Sequence, residues 1–558
     1  MGKIVLTADN VEKIISQFPF VEQVYFVKQG ESNIEGKIKI AFEGLIDSLN
    51  FDFIIRPQYP LKCYDSESIK FINHDLLAYS HVMKWGEICI HTSHSTNLEE
   101  KLSIDFNALK GWIERYYIGG NVDSHYEHII VQESTIDDNY YSFCFTDCEG
   151  EFIKNEFGIV NITPLGIGIH KGKRIHNNII QAFHSNHNNI KKCQWSNVYQ
   201  SYDANLEGIY YFIETPPVTH GKFIFENWID LSNYLSSSFL EWLRKYEQEK
   251  IRNGTGKIIP FFLGYKINDH EMHWQVAIME IGKFPIAGVP ERKAEIKTGK
   301  WTTGIVDGKI TWGPIRNISY RYFFGRGTFV EKLVNKKILV IGVGAVGSMI
   351  ATTLARGGCK YIDLIDHDTK EYENVCRSEY MFSHGITDKI LELTKILSDI
   401  SPFVNITSVD GAYIEHGIKA FYNDKKYNNN IVEHLNQYDL IFDCTTDNDL
   451  MFVLESLKLE VDILNISITN HAKEMVCAFY PNMYRFVNNQ FSNVLKNNVE
   501  DLYNPTGCWN PTFKASYNDI NVLVQLALKH VNYIFSENRP KNNFVIKEGN
   551  RNLIIVEF

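Results

Sequence analysis

Three observations make this a multidomain α/β protein. A buried-type strand runs from Lys336 to Ile341 and leads straight into Gly342, Gly344 and Gly347. The first 120 residues alternate helical and strand patterns, as an α+β domain does. The middle of the chain reads as short strands broken by turn residues. The expected division is residues 1–120, a β-rich linker domain over 121–315 with no assigned role, and a nucleotide-binding α/β domain over 316–558.

The 558 residues carry a net charge of −11, which argues against nucleic acid or an anionic membrane as the main partner. No apolar run approaches a membrane span and no signal peptide opens the chain. Ten cysteines without regular spacing point to free thiols in a reducing, cytoplasmic setting. Cys144 and Cys148 form one C-x-x-x-C pair. No second pair completes four zinc ligands, so no structural zinc is expected.

Taken in order, Asn10 or Asp9 is expected to cap a first helix with Val11, Ile14, Ile15 and Phe18 on one face. Strands follow at 23–27, 36–42, 51–56 and 69–71. Tyr59 and Pro60 precede the last of these, and His81, Gly86 and Cys89 come after it. A closing helix over 98–117 carries Leu102, Phe106, Leu109, Trp112, Ile113 and Tyr116 at helical spacing, a core stripe and not a site. In the middle, strands are expected at 140–145, 208–213 and 274–281, and one helix near 231–251 that stops at Asn253 and Gly254. The histidines of that region show no metal-ligand pattern.

The last third is the most specific. The glycines have G-x-G-x-x-G spacing between a strand and a helix over 348–357. Such glycines let the backbone turn tightly and approach phosphate at a helix N-terminus. A second strand, 361–365, ends in Asp366, placed to accept hydrogen bonds from ribose hydroxyls. Asp368, Asn374 and Arg377 follow, then Gly385 and Lys389, which opens a helix with Ile390, Leu391, Leu393, Ile396, Leu397 and Ile400 on one face. Residues 425–430 read as a polar loop. The strand 440–443 ends at Asp443, followed by Cys444, Thr445, Thr446 and Asp447. Near the C-terminus Cys508 stands among Gly507, Pro505 and Pro511, the setting of a loop thiol, and Asp519 opens a helix over 520–535.

This constellation resembles the ThiF/MoeB and ubiquitin-activating adenylation family, whose adenylation domain is Rossmann-like. The resemblance implies ATP and Mg²⁺. Gly342, Gly344 and Gly347 would form the phosphate loop and Asp366 would hold the ribose. Asn374, Arg377 and Lys389 would contact the triphosphate, Arg321 or Arg326 would reach ATP, and Asp443 would ligate the metal. It also implies a homodimer, and a loop cysteine, here Cys508, that takes the acyl group as a thioester. The first 120 residues resemble the ubiquitin-conjugating fold. Tyr59-Pro60 matches that family's Tyr-Pro step, residues 86–89 match its Gly-x-Ile-Cys, and His81 stands near its His-Pro-Asn tripeptide. Val82 and Met83 replace the Pro-Asn, so that motif supplies no oxyanion-stabilising Asn, as in bacterial members. Alone, Cys89 would read as a buried structural thiol; in this register it reads as catalytic.

A conjugating-type domain, a linker and an activating-type domain in one chain resemble the CD-NTase-associated fusion of type II CBASS antiphage operons. The implied activity adenylates the C-terminus of a cGAS-like nucleotidyltransferase. The acyl group then passes from Cys508 to Cys89 and on to a target lysine or other amine. The alternatives are a sulfur-carrier adenylyltransferase without conjugating activity, an NAD-dependent dehydrogenase, and a scaffold that only docks the partner.

Overall fold

The computed structural model describes residues 5–62, 66–121, 131–254, 256–268, 271–290, 301–409, 411–469, 471–494, 515–549 and 552–558. Cys508 and the segment around it lie outside the described residues. The chain divides into two compact units, one of 1–141, 152–157 and 209–314, the other of 142–151, 158–208 and 315–558. Among the described residues, no helix is long and apolar enough to cross a membrane.

The first unit begins with the helix Ala8–Ile15. Its cap is Thr7, not Asn10 or Asp9: the Thr7 hydroxyl accepts from the Asn10 amide at 3.3 Å. Asn10 instead donates its side-chain amide to the Val5 carbonyl. Four strands follow as an antiparallel meander, Val21–Gln29, Ile34–Ile40, Leu49–Ile55 and Ile69–Ile72, paired in that order. Alternate residues on the second and third strands point inward, as period-2 patterning requires. A side chain at Gly36 would sit 2.3 Å from the Phe53 ring, so only glycine lets that ring fill the core. The helix Leu98–Trp112, capped by Asn97, lays the expected stripe on the meander, with the Phe106 ring edge-on to Phe71 at 5.0 Å. Burying each such side chain contributes about 1.5–3 kcal/mol.

The rest of the first unit centres on residues 209–214 of the strand Leu206–Glu214, which pair in parallel with Ile258–Asn268. That strand pairs antiparallel with Glu271–Glu280, and Trp312–Gly313 closes the edge. The helix Ser237–Asn253 starts later than expected. Leu231 ends a separate tight turn, Trp228–Leu231, and Ser236 caps the helix by accepting from the Phe239 amide. It ends where Gly254 takes a left-handed φ of 61°.

The second unit contains a long hairpin in which residues 158–170 pair with Lys173–Ser185, a feature not anticipated from the sequence. Its main sheet has eight strands: Asn405–Val409, Tyr361–Ile365, Lys337–Ile341, Leu440–Asp443, Asp462–Ile468, Glu474–Phe479, Phe544–Glu548 and Leu553–Glu557. The first five are parallel and the last three antiparallel. The helices Ala345–Arg356, Lys389–Ile400 and Tyr517–Glu537 cover one face around Leu354, Leu393 and Val524. Leu435, Leu454 and Met483 fill the other.

Two expectations are corrected here. Residues 425–430 are helical: Asp424 accepts from the Tyr427 amide and starts the helix Lys425–Leu435, which Ile431 and Leu435 anchor in the core. Leu391 is 62% exposed and lines a shallow recess beside Asp366, while Glu392 takes an inward position to pair with the buried Lys370.

Candidate functional site

Chain order reverses between Lys337–Ile341 and Leu440–Asp443, whose parallel strands have crossovers leaving in opposite directions. Such a switch point opens a crevice at the carboxyl ends of the strands. A cavity of about 300 Å³ lies there, lined by Gly342, Gly344, Asp366, Asp368, Lys389, Thr445 and Asp447, with Ile414, Ile418 and Leu450 as an apolar wall.

The three glycines have separate reasons. Gly342 has φ +79° and lies against Thr445, so a side chain there would be both strained and crowded. A side chain at Gly347 would come 2.0 Å from the Gly342 carbonyl oxygen, which closes the loop onto the first turn of the helix Ala345–Arg356. This helix starts earlier than expected because the loop folds so tightly under it. Gly344 has open space around it and faces the cavity. Tyr380 ties the loop down from below, donating its hydroxyl to the Val343 carbonyl at 2.5 Å. Burial raises that phenol, and Asp366 adds to the effect.

Asp366 is fixed by two backbone amides, Val343 on one carboxylate oxygen and Asp368 on the other, each at 2.8 Å. Gly411 passes so close that a side chain would sit 2.5 Å from the Asp366 carbonyl oxygen. Lys389 donates to Asp368 at 2.7 Å. Burial would raise the Asp368 carboxyl, but the hydrogen bond and charge of Lys389, with His367, hold it below its ordinary value. Asp366, His367 and Asp368 bring possible ligand atoms within 4.8 Å of one another.

Asp443 is not at the cavity. It is fully buried, one oxygen accepts from the Thr445 amide and hydroxyl, and the other accepts from the Asn465 side chain at 2.8 Å. Burial raises its carboxyl against those hydrogen bonds. Asp447 is the acid that lines the cavity; it also starts the helix Asn448–Ser456 by accepting from two amides. Asn374 closes a tight turn by accepting from the Glu371 amide. Neither Asn374 nor Arg377 is among the cavity-lining residues, and nor is Arg321, which is exposed on the short helix Tyr320–Phe323. Sequence reasoning missed Gly411, Ile414 and Ile418; the Asp-Gly step after a strand and an i,i+4 isoleucine pair were the available signals.

In the first unit, Cys89 follows the turn at Gly86, whose φ is +75° and whose α-carbon faces the Asn73 backbone too closely for any side chain. The Cys89 amide donates to the His81 carbonyl at 2.7 Å, and the half-buried Cys89 thiol lies 3.8 Å from His91 Nε2. The His81 ring packs on Tyr116 at 4.8 Å. Elsewhere Cys148 pairs in space with Cys193, sulfur to sulfur at 3.4 Å, and not with Cys144.

Residues 316–483 match the ThiF family. The ATP-dependent ubiquitin transferase-like protein Cap2 of Enterobacter hormaechei subsp. hoffmannii (strain UCI 50) is 26% identical over 231 residues, 40% of this chain and 36% of that protein. The ubiquitin-like modifier-activating enzyme ATG7 of Candida glabrata is 29% identical over 111 residues, 19% of this chain and 18% of that protein. The matched stretch thus spans about a third of Cap2 and under a fifth of ATG7. Among solved structures, E. coli MccB is 14% identical over 41% of this chain and 65% of its own, with a TM-score of 0.29, too low to bear on this fold.

Proposed function

We propose that this chain, whose residues 316–483 form a ThiF domain, adenylates the C-terminal carboxylate of a protein partner and transfers the acyl group through thioesters to an amine. The observation that carries the reading is the crevice itself. The glycine loop, Asp366, the Lys389–Asp368 pair and Asp447 share one cavity with the apolar residues Ile414, Ile418 and Leu450. The N-terminus of the helix Ala345–Arg356 favours phosphate there, and Asp366 suits the ribose hydroxyls. A carboxylate oxygen of the partner attacks the α-phosphorus of ATP. The bond to the bridging oxygen breaks, and pyrophosphate leaves with the electron pair. Lys389 lines the same cavity, and its charge would offset the negative charge that grows on the phosphoryl oxygens.

A hard divalent cation takes oxygen ligands. Asp366, Asp368 and Asp447 line the cavity and offer such ligands to Mg²⁺, whereas Asp443 is fully buried and is not among the lining residues. Bound there, the ion would neutralise charge on the triphosphate. Asp443 then serves to hold Thr445 against the glycine loop.

Beyond the adenylate, Cys508 takes the acyl group and Cys89 receives it by thioester exchange before a lysine of the target attacks. The helix–meander–helix order around Cys89, like the ubiquitin-conjugating fold, supports this. Likeness to Cap2, an ATP-dependent ubiquitin transferase-like protein, supports ATP-driven transfer; a cGAS-like nucleotidyltransferase as donor, antiphage defence and a homodimer rest on the resemblance to the CBASS fusion and to the adenylation family. The test incubates the full chain with ATP, Mg²⁺ and such a nucleotidyltransferase and compares reducing with non-reducing gels. Thiol-sensitive adducts lost in Cys89→Ala and Cys508→Ala are expected, with AMP formation lost in Asp447→Asn. AMP and pyrophosphate without any thioester would replace this reading with a sulfur-carrier adenylyltransferase.

A further inference from the structure

We propose that His91 is the acid–base partner of the Cys89 thiol and that a buried ionic cluster holds it in place through Thr92; this rests on Cys89 being an acyl-carrying cysteine. His91 Nε2 lies 3.8 Å from the Cys89 sulfur, within hydrogen-bond reach for a thiol. The local motif supplies no Asn, and the imidazole is a polar group within reach of this sulfur.

The next residue explains why the imidazole stays there. All three polar groups of Thr92 are held. Its amide donates to Glu67 at 2.9 Å, its hydroxyl donates to Asp105 at 2.7 Å and accepts from Lys101 at 2.6 Å, and its carbonyl accepts from Lys62 at 3.1 Å. Lys101 also pairs with Asp105 and with Glu67, Lys62 pairs with Glu67, and the Tyr59 hydroxyl donates to the far oxygen of Asp105 at 2.9 Å. Lys101, Glu67 and Asp105 are 1%, 7% and 0% exposed. Two lysines and two carboxylates balance, so the cluster lays no net charge beside the thiol. On the other side the His81 ring is packed on Tyr116. A buried cluster this costly spends its hydrogen bonds on one backbone position, the one after His91.

The chemistry balances without another reactant. In thioester exchange the thiol proton passes to Nε2, the sulfur bonds the incoming acyl carbon, and the donor thiolate leaves and is protonated from the imidazolium. In aminolysis the amine nitrogen bonds the acyl carbon, the carbon–sulfur bond breaks, and Nε2 carries the ammonium proton to the sulfur. His91 acts on the reacting atom and Thr92, Lys101, Glu67 and Asp105 are positioning residues.

The test needs no partner protein. The full chain is alkylated with iodoacetamide from about pH 6 to about pH 9.5, and Cys89 is followed by peptide mapping, with exposed Cys376 as internal control. His91→Ala and His91→Gln are expected to slow Cys89 at least ~10-fold near pH 6 and under ~2-fold near pH 9.5, because thiolate abundance limits only the acid side. Thr92→Val is expected to give an intermediate loss on the acid side. Superimposable profiles for wild type and His91→Ala overturn the proposal, and an unchanged Thr92→Val profile overturns the anchoring role. Equal slowing at every pH marks a structural defect and also overturns it. Full acyl transfer by Cys89→Ala would end the reading of Cys89 as carrier, yet leave the alkylation result intact, so the two failures are distinguishable.

Discussion

Replacing Lys101 by Met keeps the side-chain volume and removes the cation between Glu67 and Asp105. Glu67 retains Lys62, at 2.6 Å, but Asp105 keeps only the hydroxyls of Tyr59 and Thr92. Breaking a buried pair by deleting one partner costs about 3–5 kcal/mol. Native-state hydrogen exchange on peptides from the helix Leu98–Trp112 measures the opening free energy of this region directly. A deficit of about 3–5 kcal/mol is expected. A deficit below about 1 kcal/mol would refute the reasoning, because a cluster with that little at stake is not dry.

Three further predictions concern the same physical elements. Gly347→Ala would force a contact of 2.0 Å on the Gly342 carbonyl and should lower thermal stability and ATP binding together, whereas Gly344→Ala, with open space around it, should melt normally and lose only affinity in calorimetry with ATP. Burial opposes ionisation of Glu67, but Lys62, the Thr92 amide and Lys101 hold its carboxyl at about 2, so it stabilises the fold fully above its unfolded value and loses that contribution as pH falls from about 4.5 toward 2; Glu67→Gln should flatten acid unfolding in that window. Lys370 and Glu392 form a second buried pair, at 2.8 Å, which also takes the Met381 amide and His384 and so braces the turn before Lys389. Lys370→Met should destabilise the second unit by about 3 kcal/mol in urea unfolding and weaken ATP binding as Lys389 loosens.

How much of this was legible depends on whether the cause is local. The strands Tyr361–Ile365 and Leu440–Asp443 fall where the pattern put them, because a strand buried on both faces is mostly apolar; the exception inside the first, Asp363, accepts from the Tyr438 hydroxyl. The glycine loop was legible because backbone conformation and close approach exclude every other residue. The role of Asp443 was not. Its partner Asn465 lies opposite it on the neighbouring strand, a register that the sequence does not contain. Of the charged cluster, only the i,i+4 spacing of Lys101 and Asp105 was visible, and that spacing ordinarily means a solvated pair. Leu391 and Glu392 exchanged their expected positions because Lys370, distant in sequence, claims the inward one.

The two sites are therefore held by different means, and the difference follows from what each must do. A nucleotide brings its own charge, so the crevice presents backbone amides, a helix terminus and a lysine, and it can be left open at Gly344. On the proposed reading Cys89 accepts and releases an acyl group and brings no charge, so its environment must be fixed before the substrate arrives. A rigid strand would bury the sulfur, and a free loop would let the imidazole wander. Pinning Thr92 by its amide, hydroxyl and carbonyl allows Cys89 to stay half-exposed while the two residues between them, Ile90 and His91, run to a fixed point. The desolvation cost of Lys101, Glu67 and Asp105 then has a use besides stability, since an apolar core of the same volume would hold the fold equally well but has no acceptor for the Thr92 amide and no partner for its hydroxyl.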